Sequence, residues 1–140
     1  MTQTRIYVPL NASRLRELSE TRALSGTPME AFAVTGRLER SIPTGDEEEW
    51  EYAALCEAVD AASRLREEPD AKRVIAAADV DPDSVTASGE GDALSTVEVT
   101  EAIPLRRIVS FHIDEQRGAD GAEDLLWYDA TELGEVTHLM

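Results

Sequence analysis

The sequence is short of cysteine, lysine and long apolar runs, and each shortage excludes a class of protein. Cys56 is the only cysteine, which excludes an intramolecular disulfide and a cysteine-rich zinc site. Lys72 is the only lysine, and 13 basic residues stand against 29 acidic ones, for a net charge of −16. The clustered positive charge that phosphate groups require is missing. We therefore expect neither nucleic acid nor an anionic membrane surface as a partner.

The apolar segments are also too short for insertion into a membrane. The longest run, Val74 to Ala78, is far shorter than a bilayer-spanning helix. Residues 1–20 contain three arginines and no apolar core of a secretion signal. These features predict a cytoplasmic chain. Its 140 residues predict a single globular domain, 1–140, that is large enough to bury a core without disulfides or a metal.

The most strongly patterned stretch is 46–68, which predicts one long amphipathic helix. Its apolar residues recur at the spacing of one helical face, namely Leu55, Ala58, Val59, Ala62 and Leu65. Either Thr44 with Glu47 or Asp46 with Glu49 has the spacing of a capping box at its start. The acidic first turn suits the positive end of the helix dipole. A proline directly after residue 68 predicts the end of the helix.

Short strands and smaller helices fill the remainder of the chain. The predicted strands are 5–10, 29–34, 73–80, 96–103, 108–114 and 125–128, and the predicted shorter helices are 12–22, 36–42 and a terminal turn from Asp129 to about Gly134. The intervening residues 82–95 are predicted as a loop. Helices cluster early and strands late, which indicates an α+β fold. We expect a two-layer sandwich with a mixed sheet of about five or six strands, helices mainly on one face and a long central helix, 46–68.

An acidic stretch has part of the spacing of a calcium-binding loop. Asp79, Asp81, Asp83 and Glu90 fall at positions 1, 3, 5 and 12 of an EF-hand-like loop. However, Ser84 stands where the turn needs glycine, a proline lies inside the loop, and no helix is predicted on either side. A solvated acidic loop is therefore the favoured interpretation, with these four residues as metal-ligand candidates, and no cofactor is assigned.

One strand carries residue types that resemble a catalytic triad. Ser110, His112 and Asp114 alternate along it and share a face. Alternate residues of a strand stand about 6.6 Å apart, so they do not converge on one proton relay. The Gly-x-Ser-x-Gly turn of serine hydrolases is also missing, and no catalytic residue is assigned. The alternative to an interaction protein is nevertheless a small-ligand- or metal-binding protein or enzyme. It would use Asp79, His112, Asp114 and nearby arginines, among Arg5, Arg37, Arg40, Arg106 and Arg107.

The aromatic residues favour a different function. Trp127 and Tyr128 are adjacent on the last predicted strand, and if they point to opposite faces, one is in the core and the other is partly exposed. Core packing of both rings is the alternative. An exposed aromatic beside acidic residues is typical of a protein-binding patch, and Tyr7 is the third candidate for it. The sequence thus favours a non-enzymatic acidic interaction or regulatory module that binds a protein partner or associates with itself.

Short segments along nearly the whole chain also carry a family resemblance. They are Arg5-Ile6-Tyr7-Val8-Pro9, Ala33-Val34-Thr35, the run from Asp46 to Ala54, Ala78-Asp79-Val80, Ile103-Pro104-Leu105, His112-Ile113-Asp114 and Leu126-Trp127-Tyr128. In these segments the chain resembles a family of small actinobacterial conserved hypothetical proteins, a domain of unknown function. The resemblance implies a stand-alone cytoplasmic domain. It implies no activity, cofactor or catalytic residue.

Overall fold

The computed structural model describes residues 3–88, 93–122 and 124–140 of the chain. Within these residues the strands are β1 (Thr4–Leu10), β2 (Ala23–Leu24), β3 (Met29–Phe32), β4 (Val74–Val80), β5 (Val85–Ala87), β6 (Thr96–Val99), β7 (Ile103–Pro104), β8 (Ile108–Asp114) and β9 (Leu125–Asp129). The helices are α1 (Ala12–Thr21), α2 (Gly36–Ser41), α3 (Glu47–Arg64) and α4 (Leu133–Leu139). Short 3-10 turns lie at Pro82–Ser84, Leu105–Arg107 and Ala130–Glu132.

The strands form one large sheet and one small one. The large sheet has seven strands in the order β5-β6-β3-β1-β4-β8-β9, and its paired neighbours run antiparallel. Strands β2 and β7 form a separate antiparallel pair. The α+β class is confirmed, but the prediction of a mixed sheet of five or six strands is wrong. The central strand β1 has antiparallel partners on both sides, namely β3 and β4.

Helices cover both faces of the large sheet, so the structure has three layers. On one face α1 and α4 pack over a core that includes Ile6 and Val8, while α2 and α3 pack over Tyr7 and Ile75 on the other. The two-layer prediction, with helices mainly on one face, is therefore wrong. The physical reason lies in β1 and β4, whose residues are buried on both sides and need an apolar cover on each.

The predicted long helix is present, but its C-terminal end and its place in the fold differ from the prediction. Asp46 is its N-cap and accepts a hydrogen bond from the backbone N–H of Glu49 at 3.0 Å, which decides between the two capping pairs. The helix ends at Arg64, with Leu65 as an exposed C-cap. It lies on one face of the sheet and is not central. Small residues line its buried side, namely Ala54, Ala58, Val59, Ala61 and Ala62, and they allow a close approach to the sheet.

Several other boundaries follow tertiary packing. The predicted loop 82–95 contains a 3-10 turn and β5, which pairs with β6. The terminal helix does not stop near Gly134 but continues to Leu139, because Leu133 and Val136 are buried in the core. The predicted caps Asn11 and Thr35 are confirmed, since each side chain accepts a backbone N–H. None of the helices in the described ranges combines the length and apolarity needed to cross a membrane.

Candidate functional site

One part of the sheet surface collects most of the polar and aromatic candidates. Helix α3 packs mainly over β1, β3 and β4 and lies away from the β8–β9 end of the sheet. On the same face the register places His112 between Ile75 of β4 and Trp127 of β9. We call this surface the open face; its members are Arg5, Asp79, Ser110, His112 and Trp127, and Tyr7 lies at its border under α3. Strand alternation brings them to one side of the sheet although they come from four strands.

The two aromatic residues of β9 point in opposite directions, as predicted. Tyr128 is half-buried against the core under α1 and α4, together with Leu126. Trp127 lies on the open face with 61% of its surface exposed. Tyr7, the third aromatic candidate, is buried under α3. Trp127 is therefore the candidate whose side chain offers a large apolar area to a partner, and its role in binding stays a prediction.

Arg5 and Asp79 form a two-pronged ion pair at one end of the open face. They are direct neighbours on β1 and β4, and the Nε–Oδ1 and Nη2–Oδ2 distances are 2.6 and 3.1 Å. The hydrogen bond to Asp79 raises the pKa of the Arg5 guanidinium. Burial raises the pKa of the neighbouring Tyr7 phenol, and the negative charge of Glu51 adds to the effect. The phenol is therefore held neutral beside a permanent ion pair.

A hydroxyl and an imidazole meet in the middle of the open face. The Ser110 Oγ and the His112 Nε2 are 3.4 Å apart, and Ser110 is only 3% exposed. Burial lowers the pKa of His112, and the positive charge of Arg5 lowers it further, so the imidazole is held neutral. The carboxylate of Asp114 does not join them, because it is bonded elsewhere. Asp114 is thus separate from the other two residues, although Ser110 and His112 lie closer together than the strand spacing predicted.

Asp114 belongs instead to a buried ion pair with Arg73. The Arg73 Nε and Nη2 each donate to a different oxygen of Asp114 at 2.9 Å, and the backbone N–H of Arg73 donates to Oδ2 at 2.7 Å. Arg73 is 1% and Asp114 2% exposed. Arg73 also donates to the backbone carbonyls of Asp120 and Gly121. The pair therefore connects Asp120 and Gly121 to the adjoining ends of β4 and β8.

The remaining charged candidates lie in separate places. Asp81 caps the turn Pro82–Ser84 by accepting the backbone N–H of Asp83 at 3.0 Å. Glu90 lies outside the described residues. In the described ranges no three His, Cys, Asp or Glu side chains are grouped to hold a metal ion, and cation binding by this loop stays a prediction. The arginines are spread out: Arg37 and Arg40 lie on α2, while Arg106 and Arg107 precede β8 at the sheet end that holds Arg5 and Asp79.

Sequence patterns did not reveal that β9 is an edge of the sheet. It pairs with β8 through all five of its residues, from Asp114 opposite Leu125 to Ser110 opposite Asp129, without a register shift. It is the last strand in the sheet order. Its outer side therefore presents a row of backbone N–H and C=O groups next to the exposed Trp127.

Comparison with known families gave one match. The model of a Family of unknown function (DUF6912) covers residues 4–137. The chain belongs to this family. Comparison with curated proteins and with solved structures gave no match. The resemblance to a family of unknown function is thus confirmed. Since DUF6912 brings no activity with it, the function of this DUF6912 chain has to be inferred from its own geometry.

Proposed function

We propose that this DUF6912 chain is a non-enzymatic interaction module that binds a protein partner through the surface around Trp127. The observation that carries the proposal is the 61% exposure of Trp127 on an edge strand, on the same side of the sheet as the half-buried Leu125. Tryptophan is enriched among the residues that dominate binding energy at protein interfaces. The ring also lies on a strand whose outer edge is unpaired in the sheet, so one partner can contact both the ring and the edge.

Charge supports the same proposal. The net charge of −16 gives a negative potential that accelerates association with a positively charged surface and repels nucleic acid. We place the module in the cytoplasm of an actinobacterium, in line with the composition and with the family resemblance. In this proposal two ion pairs stabilise the sheet that contains β9, namely Arg5 with Asp79 and Arg73 with Asp114. Neither pair has a catalytic role.

Quantitative affinity capture tests the proposal. The tagged chain, its Trp127→Ala variant and a Tyr52→Ala control are used as baits in a native cytoplasmic extract, and captured proteins are compared by mass spectrometry. Tyr52 is a matched control because it is also an aromatic residue that is more than half exposed, but on α3. We expect a protein that the parent chain and the control retain and that Trp127→Ala loses by about tenfold or more. Equal capture by all three baits would refute the proposal.

A small-ligand function is the second candidate, and the contact between Ser110 and His112 favours it. This neutral imidazole and buried hydroxyl, with the Arg5–Asp79 pair nearby, could orient a small polar molecule. The sequence predicted Asp114 as part of such a site. Both of its carboxylate oxygens instead accept hydrogen bonds from Arg73, which argues against that prediction. A small polar molecule that binds the parent chain and Trp127→Ala, but not His112→Asn, would assign the function to this polar group.

A further inference from the structure

We propose that the partner of this chain binds as an extended basic segment that adds a strand to the outer edge of β9. The inference rests on the proposed function and specifies the chemistry of its partner. Three observations carry it: the open edge of β9, the exposed ring on that strand, and the acidic residues at both of its ends. Together they describe a strand-addition site, in which main-chain hydrogen bonds give affinity and alternate side chains give specificity.

The edge of β9 lacks the devices that normally block strand addition. Proteins shield edges with proline, lysine, bulges or very short strands. β9 reads Leu-Leu-Trp-Tyr-Asp, so it contains neither proline nor lysine, and its pairing with β8 shows no register shift. The opposite edge, β5, has only three residues and is protected by its length. The two edges of the sheet thus differ, and β9 is the longer one.

Charge determines which kind of strand can add there. The four residues 125–128 are uncharged, while acidic residues lie at both ends of the strand: Glu115 and Asp124 at one, Asp129 and Glu132 at the other. The Glu115 N–H donates to the Asp124 carbonyl, which places that pair side by side. Asp124 and Asp129 are five residues apart, about 17 Å in an extended strand. A matching segment has an apolar or β-branched centre and basic residues at a similar spacing.

The same charge argues against a second copy of this chain as the occupant. Two chains that each carry −16 repel one another, and a high net charge keeps proteins monomeric. A basic segment meets no such barrier. It also brings arginine or lysine side chains to the face of Trp127, where a cation over an indole ring is attracted to it.

A labelled peptide provides the probe. It has about ten residues, with arginine pairs flanking a centre of alternating valine and threonine. The control peptide has the same charge, but prolines replace two central residues, which removes strand pairing and leaves the electrostatic attraction intact. We expect the control to bind the parent chain about tenfold more weakly, which is about 1.4 kcal/mol. We also expect slower amide hydrogen exchange within residues 125–129 when the first peptide is bound.

Two variants localise the binding. Trp127→Ala removes the ring, and Asp124→Lys reverses an exposed charge at one end of the strand. Each should weaken the first peptide by about tenfold while the thermal midpoint stays close to that of the parent chain. Equal affinity of the two peptides, or unchanged exchange at β9, would overturn the strand-addition proposal. A third outcome would also overturn it: the peptide does not bind, and the chain forms a dimer that salt strengthens and that slows exchange of the β9 amides. The occupant of the edge would then be a second copy of this chain.

The two proposals fail in distinguishable ways. If affinity capture finds a Trp127-dependent partner but the exchange of the β9 amides is unchanged in the complex, the interaction function stands and the strand-addition inference falls. If no captured protein depends on Trp127 and the first peptide does not bind, both fall together.

Discussion

His112 is an imidazole held between a buried sheet surface and the positive charge of Arg5. Both surroundings favour the neutral ring, so its pKa in the folded chain lies below the ordinary value of 6.5. The unfolded chain binds the proton more readily, so it carries more protons at pH values between the two pKa values. The contribution of His112 to the free energy of unfolding is therefore fully present above about pH 6.5 and decreases as the pH falls below it.

The chain has two histidines, which makes this prediction directly measurable. In a His138→Asn variant, His112 is the only imidazole, and the pH dependence of its ring-proton NMR shift reports one group. We expect a midpoint below 6.5, and an Arg5→Gln substitution should raise it by removing the nearby positive charge. A midpoint at or above 6.5 would contradict the half-buried position of the ring near the positive charge of Arg5.

The pair of Arg73 with Asp114 shows what residue patterns leave hidden. The two residues are 41 positions apart, and the pairing of Val74 with Ile113 brings them together. An arginine before an apolar run and an aspartate at the end of another strand are both ordinary surface patterns. Only the antiparallel register of β4 and β8 makes them neighbours, so sequence analysis placed Asp114 with a ligand site instead.

At the level of elements, the start of α3 gives the clearest stability prediction. The sequence left two capping pairs open, and the structure assigns Asp46 as the N-cap. Asp46→Ala should lower the free energy of unfolding by about 1 kcal/mol, because the backbone N–H of Glu49 loses its acceptor. Asp46→Ser should restore most of the loss, since serine is also a good cap.

Urea unfolding measures these differences, with Thr44→Ala as the matched control. Thr44 belongs to the rejected pair, so its substitution should change the midpoint little. The slope of the transition should be the same in all variants if only the folded helix is affected. An equal loss for Thr44→Ala and Asp46→Ala would show that the cap does not act through Asp46.

Local signals predicted these elements well wherever local chemistry decides the structure. Asn11, Thr35 and Asp46 each cap a helix through a side chain that lies a few residues from its partner. Gly134 failed as a stop signal because burial of Leu133 and Val136 outweighs the cost of a glycine in α4. Strand β5 escaped prediction because its three residues are stabilised by pairing with β6 and not by a pattern of their own.

At the level of the whole molecule, the sheet order is what the sequence could not supply. The β-forming residues of β1 and the apolar run in β4 predicted strands, but not that β9 would be an edge and β1 central. Exposure of Trp127 follows from that order, because an inner strand would have placed the ring beside another strand. The residues of the candidate site could thus be predicted from the sequence, but the surface that they form together could not.

The net charge of −16 leads to a final prediction about the folded chain as a whole. Self-repulsion of this charge destabilises the compact state, and salt screens it with a Debye length of about 8 Å at physiological ionic strength. Raising NaCl from about 10 mM to about 200 mM near neutral pH should therefore raise Tm, although salt weakens exposed pairs such as Arg117 with Asp70. A gain of about 1 kcal/mol would appear as roughly 3–5 °C.

The same titration near the isoelectric point of about 4.3 is the control, since the repulsion vanishes there and salt should no longer stabilise the fold. A Tm that falls with salt near neutral pH would mean that attractive pairs outweigh the repulsion, and the charge would then offer no barrier to self-association through β9.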